Sequence, residues 1–144
     1  MPGHRLGAID PSHYPIPNSE HLVLSQRGFG SDIDFNTYDD LVTYVSGVLE
    51  GVPDKTASFW SRNHHTIATY SYRGESFIRY STLDQDDAER LLYQDMDDIN
   101  YGIWQVYRYG RIPLKTSTWK VEKNGELLCF VEIGLGGGQV VASS

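Results

Sequence analysis

A single cysteine, Cys129, rules out an internal disulfide, so nothing covalent staples this chain. With no disulfide framework to demand an oxidising compartment, a cytoplasmic location is the default expectation. No stretch approaches eighteen consecutive apolar residues, which argues against a membrane-spanning helix. The first residues lack the basic-then-apolar order of a secretory leader. Basic clusters are missing too, which argues against a direct grip on a phosphate backbone. There is no G-x-S-x-G, no H-E-x-x-H, no phosphate-binding loop and no zinc-ligand spacing. Neither a cofactor nor a metal is implied.

What is present has globular composition. The chain has 144 residues, 40% of them hydrophobic and 22% charged, the size of one domain with a real core. Net charge is −7, and the acidity is local. Seven carboxylates fall between Asp84 and Asp98 against one base, Arg90, while the rest of the chain is close to charge balance. Aromatic residues Tyr93, Tyr101, Trp104, Tyr107 and Tyr109 lie in or just after this stretch.

Ala88, Leu91, Leu92, Met96 and Ile99 recur at three- and four-residue spacing, which predicts a helix over 84–100. Asp84 is its expected N-cap and Gly102 its stop. Asp86, Asp87 and Glu89 then sit near the positive end of the helix dipole, where anions are favoured. Asp97 and Asp98 would fall near the negative end, with Asp95 adding repulsion, so a compensating charge is expected. Arg90, Arg108 and Arg111 are candidates within the chain; a basic partner or a cation would serve as well. A solvated acidic face is the plainer reading.

The rest of the chain reads in order. Residues 1–18, with Pro2, Pro11, Pro15 and Pro17, form an irregular arm ahead of one domain over 19–134. Glu20–Gln26 is a candidate strand and Arg27–Ser31 a loop. Residues 32–36 begin like a calcium loop, but Thr37 and Thr43 stand where that loop needs Gly and Glu. A helix over 37–50 fits better, with Thr37 as cap and Leu41, Val45, Val48 and Leu49 on its apolar face, ending at Gly51. Alternation over 65–72 and 76–81, separated by Arg73-Gly74-Glu75, predicts a hairpin. Residues 103–109 (IWQVYRY) are aromatic and β-branched, which predicts a strand. Asn124-Gly125 between alternating runs at 116–122 and 126–133 is the strongest hairpin signal of all. Leu128, Phe130 and Glu132 are expected on one face of the return strand, with Cys129 packed as a small apolar side chain. Residues 135–144 read as a flexible Gly-rich tail.

The expected fold is therefore α+β: one domain with two main helices on a mainly antiparallel sheet of five or six strands. The leading functional expectation is a small binding protein of inhibitor or immunity type. It would neutralise a basic, nuclease-like or nucleic-acid-binding protein through an acidic, aromatic-rimmed surface. The residues singled out for partner binding are Asp86, Asp87, Tyr93, Asp95, Asp97, Asp98, Tyr101 and Trp104. The alternative is a small enzyme using His64 or His65 with a carboxylate, since an unperturbed imidazole titrates near neutrality. A third is a structural or assembly subunit that self-associates through its tyrosine-rich strands.

Overall fold

Two tight turns set the frame of the sheet. Arg73 and Gly74 sit at φ 58° and 69°, and Asn124 and Gly125 at φ 56° and 82°. Consecutive positive φ values give a turn whose twist matches that of the flanking strands. The computed structural model describes residues 10–17, 19, 21–51, 66–83, 90–110 and 112–136. Its strands are β1 (Tyr14–Pro15), β2 (Leu22–Asp32), β3 (Thr66–Tyr72), β4 (Ser76–Ser81), β5 (Lys115–Lys123) and β6 (Glu126–Leu135). Its helices are α1 (Phe35–Glu50) and α2 (Tyr93–Tyr109).

Both expected hairpins form, β3–β4 and β5–β6. The six strands make one sheet in the order β1-β2-β5-β6-β4-β3, antiparallel throughout. Both helices pack on one face of it, which makes a single-domain α+β fold, as expected from the sequence. No helix among the described residues is long and apolar enough to cross a membrane.

The core lies between the helices and the inward residues of the strands. Trp119 and Val121 of β5 face Val131 and Cys129 of β6, all buried. A register shift between Val121 and Glu122 lets Leu128 join the core beside Cys129. Phe130 and Glu132, expected on the same face as Leu128, are only half-buried. A chain of hydrogen bonds ties several polar atoms together inside the core. Trp119 Nε1 and Tyr107 Oη both donate to Ser117 Oγ at 2.8 Å, and Gln26 Nε2 donates to Tyr107 Oη at 3.1 Å. The Tyr107 ring meets Trp119 and Tyr38 edge-on, joining α2 to β5 and α1. Such edge contacts suit the quadrupoles of aromatic rings.

Several local expectations are overturned. Residues 103–109 are not a strand: they are the C-terminal half of α2. Met96, Ile99, Ile103 and Val106 continue one buried helical stripe, and that burial outweighs the β-preference of Trp, Val and Tyr. Gly102 does not end the helix. It lies within it, where a Cβ would come 3.0 Å from Ile16 Cγ1 and 3.3 Å from Leu24 Cδ1, so its missing side chain lets α2 approach β2 and the residue that follows β1. The C-cap is Gly110, whose N–H donates to the Val106 carbonyl at 2.8 Å. At the other end, α2 begins at Tyr93 after an extended Leu92 (φ −93°, ψ 152°). The proposed cap Asp84 lies outside the described residues.

Two further corrections concern the first half of the chain. Residues 27–31 are not a loop but continue β2, with register shifts between Gln26 and Gly28 and between Phe29 and Asp32. The glycines make room there, since a Cβ on Gly28 or Gly30 would crowd Thr118 or Thr116. For α1 the cap is Asp34, accepting from the Thr37 N–H at 3.2 Å, rather than Thr37 itself. Val48, assigned to the apolar face, is exposed, while Tyr38 and Val42 join Leu41, Val45 and Leu49 inside. Within the N-terminal arm, Tyr14–Pro15 pairs with β2 and Ile16 is buried.

Candidate functional site

The shift of α2 changes what its carboxylates do. Asp95 is in the first turn of the helix, where the dipole favours a negative charge. It is 6% exposed. One of its oxygens, Oδ2, accepts from the Leu92 N–H at 3.2 Å and from Lys123 Nζ at 2.8 Å. The base that compensates Asp95 is thus Lys123, supplied by the β5–β6 hairpin. Arg90 is in ion-pair range of Glu126 at 3.7 Å and donates to the Leu127 carbonyl. The Arg108 guanidinium lies over the rings of Phe35 and Tyr109. Arg111 is outside the described residues. The expected conflict of Asp97 and Asp98 with the negative end of the dipole does not arise, since both lie in the N-terminal half of α2.

The eight nominated partner-binding residues separate by location. Asp86 and Asp87 lie outside the described residues, as do His64 and His65. Tyr93 and Asp95 are buried and support the fold. Asp98 is half-buried on one flank of α2 and accepts from Gln94 Nε2 at 3.0 Å. Burial pushes its carboxyl upward, with the Gln94 bond opposing and the charges of Asp95 and Asp97 adding. Asp97, Tyr101 and Trp104 share a stripe on the outer surface of α2, three to four residues apart.

That stripe meets a matching one on α1. Asp39, Thr43, Ser46 and Glu50 recur at the same spacing along α1, on the flank of its buried face. The two stripes enclose a groove of about 450 Å³, lined by Asp39, Val42, Thr43, Ser46, Gly47 and Glu50 from α1 and Asn100, Tyr101 and Trp104 from α2. Trp104 Nε1 donates to Asp39 Oδ1 at 2.9 Å, which fixes ring and carboxylate together. Tyr101 stacks on Trp104 at 5.5 Å and 13°, and Tyr109 meets Trp104 edge-on. Ser46 donates to Asp97. Burial holds the Asp97 carboxyl above its ordinary range; the Ser46 bond opposes this and the Glu50 charge adds to it.

Two properties of the groove stand out. Among the described residues no basic side chain lines it, and none of Asp39, Glu50 and Asp97 is in an ion pair. Asn100, 1% exposed, donates through Nδ2 to the Val42 carbonyl at 3.2 Å, yet its Oδ1 has no partner. A buried acceptor left unmet costs about 1–3 kcal/mol. Gly47 opens the wall between the carboxylates: a Cβ built there meets nothing within 4 Å. Among the described residues no three His, Cys, Asp or Glu side chains cluster closely enough to hold a metal ion.

Asp39, Glu50, Gly47 and Asn100 were missed as site residues. The polar stripe on α1 was readable from its period, but nothing local says that it faces α2. The tyrosines of the β3–β4 hairpin are engaged internally, Tyr70 against Tyr80 and Tyr72 against Tyr44 of α1. Comparison of the chain with protein-family models, curated proteins and solved structures finds no significant match.

Proposed function

We propose that this chain is a binding protein that docks a basic protein on the acidic, aromatic-lined surface formed by α1 and α2. In this reading it acts as an inhibitor or immunity-type protein toward a nuclease-like or nucleic-acid-binding partner. The observation that carries the reading is the groove itself: Asp39 and Glu50 line it beside the Tyr101–Trp104 stack, Asp97 adjoins it through Ser46, and no basic side chain stands among its described lining residues. Lys and Arg side chains that hold phosphate in the partner would be covered by these carboxylates. The aromatic pair would supply the contact area typical of interface hot spots. Charge complementarity of this kind speeds encounter and selects the partner.

The test is affinity capture from a lysate of the source cell at low and at high salt. The wild-type chain is run beside the double variant Asp39→Asn/Asp97→Asn. Retention of a basic protein by the wild type at low salt, and its loss with the variant or with salt, is the expected result. With that protein purified, the variant should associate about ten-fold more slowly at low salt. Equal capture by both chains, or capture of no basic protein, would remove the reading. Asp95 is left out of the variant because it holds the first turn of α2.

A further inference from the structure

The geometry points to the α1–α2 groove as a seat for one arginine side chain, presented on an extended segment of the basic partner. This inference rests on the partner reading above and specifies what the groove itself takes.

Four observations converge on that side chain. The first is charge: Asp39 and Glu50 line the groove, Asp97 adjoins it through Ser46, and no base stands among its described lining residues. The second is the unpartnered Oδ1 of Asn100, a neutral acceptor 1% exposed in the groove lining. Nδ2 is already committed to Val42, so Oδ1 is the atom of this amide left to accept a donor. The third is the stacked pair Tyr101 and Trp104, with Trp104 anchored by Asp39. A guanidinium is planar, stacks on aromatic faces and offers five donors in a fixed fork, so it serves a ring, a carboxylate and an amide oxygen together. A lysine ammonium is a strongly hydrated point charge and matches this set less well. The fourth is size. The groove is about 450 Å³, far larger than a bare guanidinium group and within the range that takes a whole organic ligand. It therefore accommodates the full side chain with flanking backbone, which favours an arginine borne on a chain over a free cation.

Gly47 becomes a specificity residue in this arrangement. A side chain at 47 would project into open space in the groove wall and compete with the ligand. The exposed edge of Tyr101, which is 43% exposed, would close over the arginine stem.

The experiment titrates the full chain with the peptide acetyl-Gly-Gly-Arg-Gly-Gly-amide and with its citrulline and lysine counterparts. Citrulline keeps the shape of arginine and removes its charge. Methylguanidinium is the fourth probe. Binding is followed by NMR at the Trp104 indole N–H and the Asn100 side-chain amide. The arginine peptide is expected to shift both signals saturably. Citrulline should bind about ten-fold more weakly or worse, lysine about three-fold more weakly, and methylguanidinium more weakly than the peptide. Gly47→Leu should abolish the shifts while its thermal transition shows a folded chain. Asp97→Asn, which keeps the shape of the site, should weaken binding about three-fold and stands in if Gly47→Leu does not fold. Equal binding of arginine and citrulline peptides would overturn the proposal. So would shifts confined to other residues, no saturable binding, or unchanged binding by the folded variants. Methylguanidinium binding as tightly as the peptide would overturn the chain-borne source.

The two readings fail separately. If the arginine peptide does not bind but the carboxylate variant still loses a captured basic protein, this inference falls and the docking surface stands. If the peptide binds but no basic protein is captured, the groove stands as an arginine site and the inhibitor reading falls.

Discussion

Asp95 and Asp97 are two residues apart, which on a helix turns them roughly 200° from one another. One is held at the β5–β6 hairpin and the other bonds to Ser46 of α1, and their surroundings differ in every respect that matters to a carboxylate. Asp95 has a backbone N–H, a lysine and the positive end of the helix dipole. Asp97 has one hydroxyl, a like charge in Glu50 and partial burial that works against its ionised form. The first arrangement is finished within the chain. The second has no base among the described residues to answer it. The comparison teaches that a run of carboxylates in sequence is not one feature: the helix sorts it by direction into structural and available groups.

The contrast can be broken most forcefully at the closed end. Lys123→Met leaves Asp95 buried without its base, and stability is expected to fall by about 3 kcal/mol. Urea denaturation reads this directly. A loss below about 0.5 kcal/mol would put the pair among ordinary surface bridges and erase the distinction.

At the open end the expected sign reverses. Gly47 sits inside α1 with free space around it, so Gly47→Ala removes only backbone freedom. A gain of about 0.8 kcal/mol is expected, seen as a higher thermal midpoint. Destabilisation instead would mean that the groove wall is not open.

The smallest effect is the most diagnostic. The folded chain holds the Asp97 proton more tightly than an unfolded chain does, chiefly through burial. Its contribution to stability is therefore fully present below the unfolded value of 3.8 and is lost as pH rises through the folded pKa. Asp97→Asn, fixed in the neutral form, should raise the melting temperature slightly at pH 7 and lose that advantage near pH 3. Melting curves across this range that run parallel would deny that Asp97 is strained by its setting.

The fold class was legible because its signals are local. Asn124-Gly125, Arg73-Gly74 and the alternation around them specify two hairpins without reference to the rest of the chain. The second helix was misplaced because two local signs, Gly102 and the aromatic run after it, both spoke for a break. The longer period through Met96, Ile99, Ile103 and Val106 spoke against one, and burial decided for the period. The length of β2 was hidden for the opposite reason. Gly28 and Gly30 look like loop residues, but they serve as space against Thr118 and Thr116. In the candidate site, Asp97, Tyr101 and Trp104 were within reach because they share a stripe. Asp39, Glu50 and Asn100 were not, since their meeting depends on α1 and α2 lying side by side, which is a long-range fact.

Cys129 has a further use that follows from its position. It is the chain's only thiol, it has no exposed surface, and it lies on β6, between β5 and β4 in the sheet. An alkylating reagent reaches it only when the middle of the sheet opens. The rate of modification in native buffer is thus a clock for opening of the whole molecule, with no label to be introduced. Ligands of the α1–α2 groove should slow that clock in proportion to their occupancy, so a single-thiol assay can rank them before any partner protein is in hand.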